Sequence, residues 1–257
     1  MAKRASRRQA RRHSTALNEA DMSNVSPLFD STDAPWSPIE RPEEPSQKYR
    51  KNIRPHNEAQ KRMLEAIELA NLVFAVGVAG TGKTYLAVAK AVEALENQKV
   101  RRIVLSRPAV EAGESLGYLP GDLEEKMSPY LRPLYDILCD RLSTKRLKAL
   151  MAEGVIEIAP IGYMRGRTLN NAYVVIDEAQ NCTYVQLKML LTRLGWNSTM
   201  VVTGDPEQSD LLPGMSGLSD IVEKLSSVSN ISTIEFGRQD IVRHPLVGEI
   251  IDALQEE

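Results

Sequence analysis

Gly77-Val78-Ala79-Gly80-Thr81-Gly82-Lys83-Thr84 is the stretch that decides how the chain is read. It follows Leu72-Val73-Phe74-Ala75-Val76, an apolar run that predicts a buried strand, and it precedes Tyr85 to Leu95, whose composition predicts a helix. The pattern Gly-x-x-x-x-Gly-Lys-Ser/Thr is therefore complete and sits in the strand–loop–helix setting it requires. Its glycines let the backbone wrap closely, so that N–H groups point at the α and β phosphates of a nucleotide. The following helix adds its positive N-terminal end. Lys83 is expected to reach the β and γ phosphates and the Thr84 hydroxyl to hold Mg²⁺. The expected nucleotide-binding set is Gly77, Val78, Ala79, Gly80, Thr81, Gly82, Lys83, Thr84 and Tyr85, with ATP and Mg²⁺ as the ligands.

Composition sets the frame. Apolar residues make up 42% of the 257 residues and charged residues 26%, as in ordinary globular chains. The net charge of −2 conceals a polarised N-terminus: Lys3, Arg4, Arg7, Arg8, Arg11 and Arg12 meet no acid before Ala16, and acids then prevail up to Lys48. With Pro27, Pro35, Pro38, Pro42 and Pro45 and few aliphatics, residues 1–50 predict a disordered, basic then Pro-rich and acidic arm, which cannot bury enough apolar surface to offset its ordering. The basic start suits nucleic-acid phosphates or a solvated tail equally. Residues 51–257 form the expected folded domain. Cys139 and Cys182 are too few for a disulfide framework or a zinc site and read as buried thiols in a reducing compartment. The uncharged run Leu69 to Gly82 is too short to span a bilayer, and the basic start is followed by no apolar core of a signal peptide. A cytoplasmic protein without membrane contact is expected.

Further along, Ala59, Met63, Ala66, Ile67 and Ala70 recur at helical spacing behind Asn57, a plausible N-cap. Strands are predicted at 72–76, 103–105, 155–159, 173–176, 199–203 and 231–236. Helices are predicted at 84–96, at 122–141 with a break or kink near Pro129 and Pro133, at 143–152, at 216–225 and at 245–254 from Pro245. Thr183 and Gln186 predict a capping box, with Leu187, Leu190, Leu191 and Leu194 on one face of the helix it starts. Strands alternating with helices argue a mainly parallel α/β sheet covered on both faces.

Ligands of such sheets gather at the carboxyl ends of the strands. After the fourth strand come Asp177-Glu178, and after the fifth Gly204-Asp205-Pro206-Glu207-Gln208. Four apolar residues ending in two acids form a Walker B pattern. Asp177 is expected to hold Mg²⁺ through its shell and Glu178 to polarise the attacking water, which separates a hydrolase from a P-loop kinase. The Gln208 amide could bridge the γ-phosphate and that water.

The combination of Ala79 to Thr84, Asp177-Glu178-Ala179-Gln180 and Thr203 to Gln208 resembles the first RecA-like domain of superfamily 1 helicases. Ser106-Arg107-Pro108, the loop Glu114 to Gly121, Met164-Arg165-Gly166-Arg167-Thr168 and Val242-Arg243-His244-Pro245 resemble, more closely, the PhoH family of P-loop ATPases over residues 55–254. The resemblance implies a single RecA-like P-loop NTPase domain and places Gln60 where such helicases read adenine. An ordinary helix-surface glutamine remains the other reading. It also implies that Arg107 and the Tyr163–Arg167 loop face RNA or single-stranded DNA, for which arginines beside an aromatic are suited; a solvated loop is the other reading.

Helicases of that superfamily draw an arginine finger from a second domain, and the stretch after Gln208 is too short for one. The expectation is a neighbouring subunit that supplies the cation, hence a homo-oligomeric ring, a hexamer by the family resemblance. Arg243 is the first candidate finger and Arg238 the second, against a surface salt bridge for either. No fused PIN nuclease domain of the kind some relatives carry is expected. The leading function is Mg²⁺-dependent ATP hydrolysis coupled to RNA or single-stranded DNA translocation or remodelling. The alternative is an ATP-dependent protein-binding or scaffold ring.

Overall fold

A computed structural model describes residues 53–108 and 123–242, with residues 123–129 described by their backbone only. The expected arm at 1–50, the loop Glu114 to Gly121, Arg243 and the helix at 245–254 lie outside the described residues.

Six strands form one parallel sheet: β1 (Leu72–Gly77), β2 (Arg102–Arg107), β3 (Ile156–Pro160), β4 (Ala172–Ile176), β5 (Thr199–Gly204) and β6 (Ile231–Phe236). Their order is β3-β2-β4-β5-β1-β6, with every neighbouring pair parallel. The central strands read as continuous apolar runs because a parallel sheet is covered on both faces: all five residues of β4 are buried. Edge strand β6 carries Ser232, Thr233 and Glu235 and is only half buried.

Alternation along each strand divides the core. Val73, Ala75, Ile103, Leu105, Val175 and Val201 pack with α1 (Glu58–Leu69), α2 (Lys83–Glu96), α3 (Leu123–Arg141) and α4 (Thr144–Ala152). Leu72, Phe74, Val76, Val104, Val174 and Val202 face the other way, onto α5 (Tyr184–Leu191) and α6 (Leu218–Leu225). This is the α/β, RecA-like arrangement expected of the sequence.

Helix starts follow local chemistry. The Asn57 side chain accepts the Gln60 N–H at 2.8 Å, the Ser143 hydroxyl accepts from Arg146, and Thr183 with Gln186 completes the capping box. The main differences from the expectation lie in α3, α5 and β2. Helix α3 is continuous across Pro129 and Pro133. Helix α5 stops at Leu191, and Leu194 instead bridges to Leu169 beyond it. Strand β2 extends through Ser106 and Arg107, because hydrogen bonding to β3 and β4 carries them. Cys182 is fully buried, and that burial pushes its thiol up to about 12. Cys139 is only partly buried, which corrects the expectation for it; neither cysteine forms a disulfide. Among the described residues no helix is long and apolar enough to cross a membrane.

The amphipathic reading of α5 makes a direct contrast. Leu187 is fully buried, whereas Val185, two positions earlier, is 72% exposed. Leu187→Ala is expected to cost about 2–5 kcal/mol and Val185→Ala less than about 0.5 kcal/mol. Urea midpoints at unchanged slope read both; equal costs would contradict the packing.

Candidate active site

Strand β5 lies between β1, which feeds the phosphate loop, and β4, which feeds Asp177. The three strand ends thus bring residues distant in sequence to one edge of the sheet. The loop bends through left-handed glycines, Gly77 at φ 124°, Gly80 at 80° and Gly82 at 85°. Gly77 admits no side chain for a second reason: a Cβ there would lie 2.0 Å from the Phe236 carbonyl oxygen of β6. Helix α2 begins at Lys83 with Gly82 as N-cap and no side-chain cap bond. Its first-turn N–H groups are thereby left for an anion.

The Lys83 ammonium folds back into the loop. It donates to the carbonyls of Gly77 at 2.6 Å and Val78 at 2.7 Å, and to the Thr81 hydroxyl at 3.3 Å. It also lies 5.9 Å from the centre of the Phe236 ring. Thr84 Oγ1 donates to Asp177 Oδ1 at 2.6 Å. Thr203 Oγ1, from β5, donates to the same oxygen at 2.7 Å. Asp177 is 4% exposed, so these hydroxyls supply the partners that a buried carboxylate requires. The donor set of Thr84 and Asp177 fits Mg²⁺, a hard cation held by one or two protein oxygens and completed by phosphates and water. Consistent with that division, no group of three or more His, Cys, Asp or Glu that could hold a metal alone occurs among the described residues.

Glu178 sits beside this pair in a left-handed conformation, φ 54° and ψ 42°. For a residue other than glycine that backbone is costly and persists only where surroundings enforce it. One carboxylate oxygen accepts from Gln180 Nε2 at 2.6 Å and the other from Arg107 Nη2 at 3.1 Å. Gln180, 2% exposed, is the hub of this side. Its Nε2 also donates to the Gln208 carbonyl at 3.3 Å, and its Oε1 accepts the Asp205 N–H at 3.0 Å. Asp205 in turn accepts the Ala79 N–H of the phosphate loop at 3.0 Å. Gly204 is small because a Cβ there would meet Gln180 Oε1 at 2.8 Å.

On the far side of the loop lies a cleft of about 510 Å³ lined by Ile53, Arg54, His56, Gln60, Gly80, Gly82, Tyr85, Leu86 and Val242, within the size range of ligand pockets. Gln60 is buried rather than on the helix surface. Its Oε1 accepts the His56 N–H at 2.8 Å and its Nε2 donates to the Thr81 carbonyl at 2.9 Å. A β6-side anchor closes the cleft, the Val242 N–H donating to Gly80 O at 2.9 Å.

Lys83, Thr84, Asp177 and Glu178 therefore come together, Gln208 joins them through its backbone and Gln180, and Gln60 with Tyr85 lines the cleft. Gln208 itself is exposed. Arg107 is engaged with the acids of the site instead of standing free toward solvent. Arg167 is forked onto Glu157 at 2.5 and 2.7 Å, a pairing that raises the arginine and holds the Glu157 carboxyl below its usual range. Tyr163 is 54% exposed, and Arg165 is exposed beside it. Sequence reasoning assigned no role to Gln180, Thr203 or Asp205. The signal available was position: each falls within two residues of a strand's carboxyl end or a strand-end acid, and Thr203 is a hydroxyl in an otherwise apolar run.

Comparison with known proteins identifies the family. The family model for PhoH-like proteins matches residues 52–255. A PhoH-like protein of Bacillus subtilis (strain 168) is 56% identical over 208 residues, 80% of this chain and 65% of that protein. A PhoH-like protein of Mycobacterium bovis is 57% identical over 204 residues, 79% of this chain and 58% of that protein. The chain thus spans 58 to 65% of the length of these relatives. Among solved structures, the large terminase from a thermophilic bacteriophage is similar with a TM-score of 0.49 and 11% identity, over 79% of this chain and 51% of that one. With a family match that takes in every described residue, and more than half of the aligned positions shared with both relatives, this chain belongs to the PhoH-like family.

Proposed function

We propose that this chain hydrolyses ATP with Mg²⁺ as a subunit of a homo-oligomeric, hexameric ring, and that hydrolysis drives movement along, or remodelling of, RNA or single-stranded DNA. The observation that carries the reading is the 2.6 Å contact between Thr84 and Asp177 with Glu178 next in the chain. This places a hydroxyl and a carboxylate suited to Mg²⁺ beside a second carboxylate suited to water.

In this reading the phosphates enter the glycine loop and meet its N–H groups and the start of α2. Lys83 turns from the Gly77 and Val78 carbonyls to the β and γ phosphates. Thr84 and Asp177 orient Mg²⁺, which when bound neutralises charge on the phosphate oxygens. Glu178 accepts a proton from the water that attacks the γ-phosphorus, and Gln180 fixes its carboxylate. The base of the nucleotide lies in the cleft against Tyr85 and Leu86. Arg243 or Arg238 of a neighbouring subunit serves as the finger. Native mass measured with ATP present tests the ring, and a monomer under those conditions speaks against it.

The nucleic-acid part is supported by exposed Tyr163 and Arg165 after β3, and by Arg107 at the end of β2, its neighbour in the sheet. Single-stranded RNA or DNA is expected to stimulate turnover and to bind less tightly as salt rises. Neither stimulation nor salt-sensitive binding would favour a protein-binding ring instead. Glu178→Gln is expected to retain ATP binding by calorimetry while hydrolysis falls by about 10²–10⁴-fold. Normal turnover in that variant refutes the base assignment. Gln180→Leu is expected to lower kcat by about tenfold or more at an almost unchanged KM, because it frees the Glu178 carboxylate from its donor; a change confined to KM counts against that role.

A further inference from the structure

Both oxygens of Glu178 accept a hydrogen bond from a protein side chain. Gln180 holds Oε2 at 2.6 Å and Arg107 holds Oε1 at 3.1 Å. A guanidinium on Oε1 takes one of the sites at which that carboxylate could meet water, so its withdrawal is a release step for the oxygen. The Gln180 contact cannot supply it. That amide is buried and committed to Asp205 and Gln208 as well.

Arg107 is differently placed. Its side chain is 22% exposed, and among the described residues its Nη1 makes long contacts, 3.9 Å to Asp177 Oδ2 and 3.5 Å to the Tyr130 carbonyl. It ends β2, next to β3 and the turn that carries exposed Tyr163 and Arg165. A guanidinium at that edge can exchange a carboxylate for a phosphodiester, which it binds through the same charge-assisted N–H···O bonds.

We propose that Arg107 restrains Glu178 in the resting site, and that a phosphate of bound single-stranded nucleic acid draws the guanidinium away and frees the carboxylate for water. The proposal rests on the nucleic-acid reading above and gives it a mechanism. Arg107 is a positioning residue: it acts on the water only through Glu178. The same contact joins the partner's binding edge to the hydrolytic carboxylate, and no movement of the sheet is needed.

The test is steady-state ATPase of the full chain with Mg-ATP, with and without an oligouridylate, for the native protein, Arg107→Ala and Arg107→Lys. Removing the restraint is expected to raise basal kcat about fivefold, equivalent to about 1 kcal/mol, the upper range for a partly exposed ion pair. KM for ATP should stay constant, and the stimulated-to-basal ratio should fall toward one. Arg107→Lys, which keeps a point charge without the fork, should lie between the two. A basal kcat in Arg107→Ala at or below the native value overturns the proposal, because it would make the arginine a helper of catalysis or a bystander. If the native protein is not stimulated by the oligouridylate, the nucleic-acid reading fails. The restraint is then judged on basal rate alone, supported by a rise and overturned by its absence. Should Arg107→Ala not fold, Arg107→Gln gives the same comparison with the side-chain length retained.

Discussion

Asp177 Oδ1 accepts two hydroxyl donors at once, Thr84 from the start of α2 and Thr203 from β5. That shared oxygen ties together the three elements on which the site depends. A carboxylate 4% exposed would be unstable at the end of an apolar strand without such partners. The order β4-β5-β1 provides them, because β5 sets Thr203 directly beside the acid and β1 delivers α2 from the other side. The placement of Lys83 and Glu178 follows, since each is the chain neighbour of one member of this contact.

The phosphate loop is held from outside as well. Strand β6 supplies the Phe236 carbonyl, which accepts the Val78 N–H at 3.2 Å and leaves no room for a side chain at Gly77. Helix α1 supplies Gln60, whose amide accepts from His56 and donates to Thr81. Strand β5 supplies Asp205 beneath Ala79. A loop of small residues has little packing of its own, so its shape depends on these three fixed neighbours. Preorganisation of this kind lets N–H groups stabilise a developing charge without reorganising at the moment of reaction.

Legibility in the sequence followed the range of the interaction. The central strands could be read because a buried parallel strand writes its environment into consecutive residues, as Tyr173-Val174-Val175-Ile176 does. Caps such as Asn57 and Thr183 could be read because donor and acceptor are three residues apart. The loop and Asp177-Glu178 could be read as short motifs whose chemistry is local. What could not be read depends on strand order. Gln60 is reached through the resemblance alone, since its contact with Thr81 is not written in α1, and Gln180 looks like any polar residue until Asp205 arrives. Arg107 could be placed at a strand end, but its partner lies on β4, and nothing in Ser106-Arg107-Pro108 announces that β4 is adjacent. The continuity of α3 through two prolines likewise reflects packing onto the sheet, not helix propensity.

The polar groups of the site bond to one another: Lys83 serves loop carbonyls, Thr84 serves Asp177, and Glu178 is held by Gln180 and Arg107. Each of these contacts satisfies a polar group whose burial would otherwise be costly. In the proposed reading Lys83 exchanges loop carbonyls for phosphate, whereas Thr84 keeps its bond to Asp177 and would face Mg²⁺ with a lone pair of Oγ1. At Arg107 the geometry differs, since the guanidinium, 22% exposed, reaches the acids from the end of β2, next to β3. The lysine and threonine thereby answer to the nucleotide, and the arginine to whatever occupies that edge.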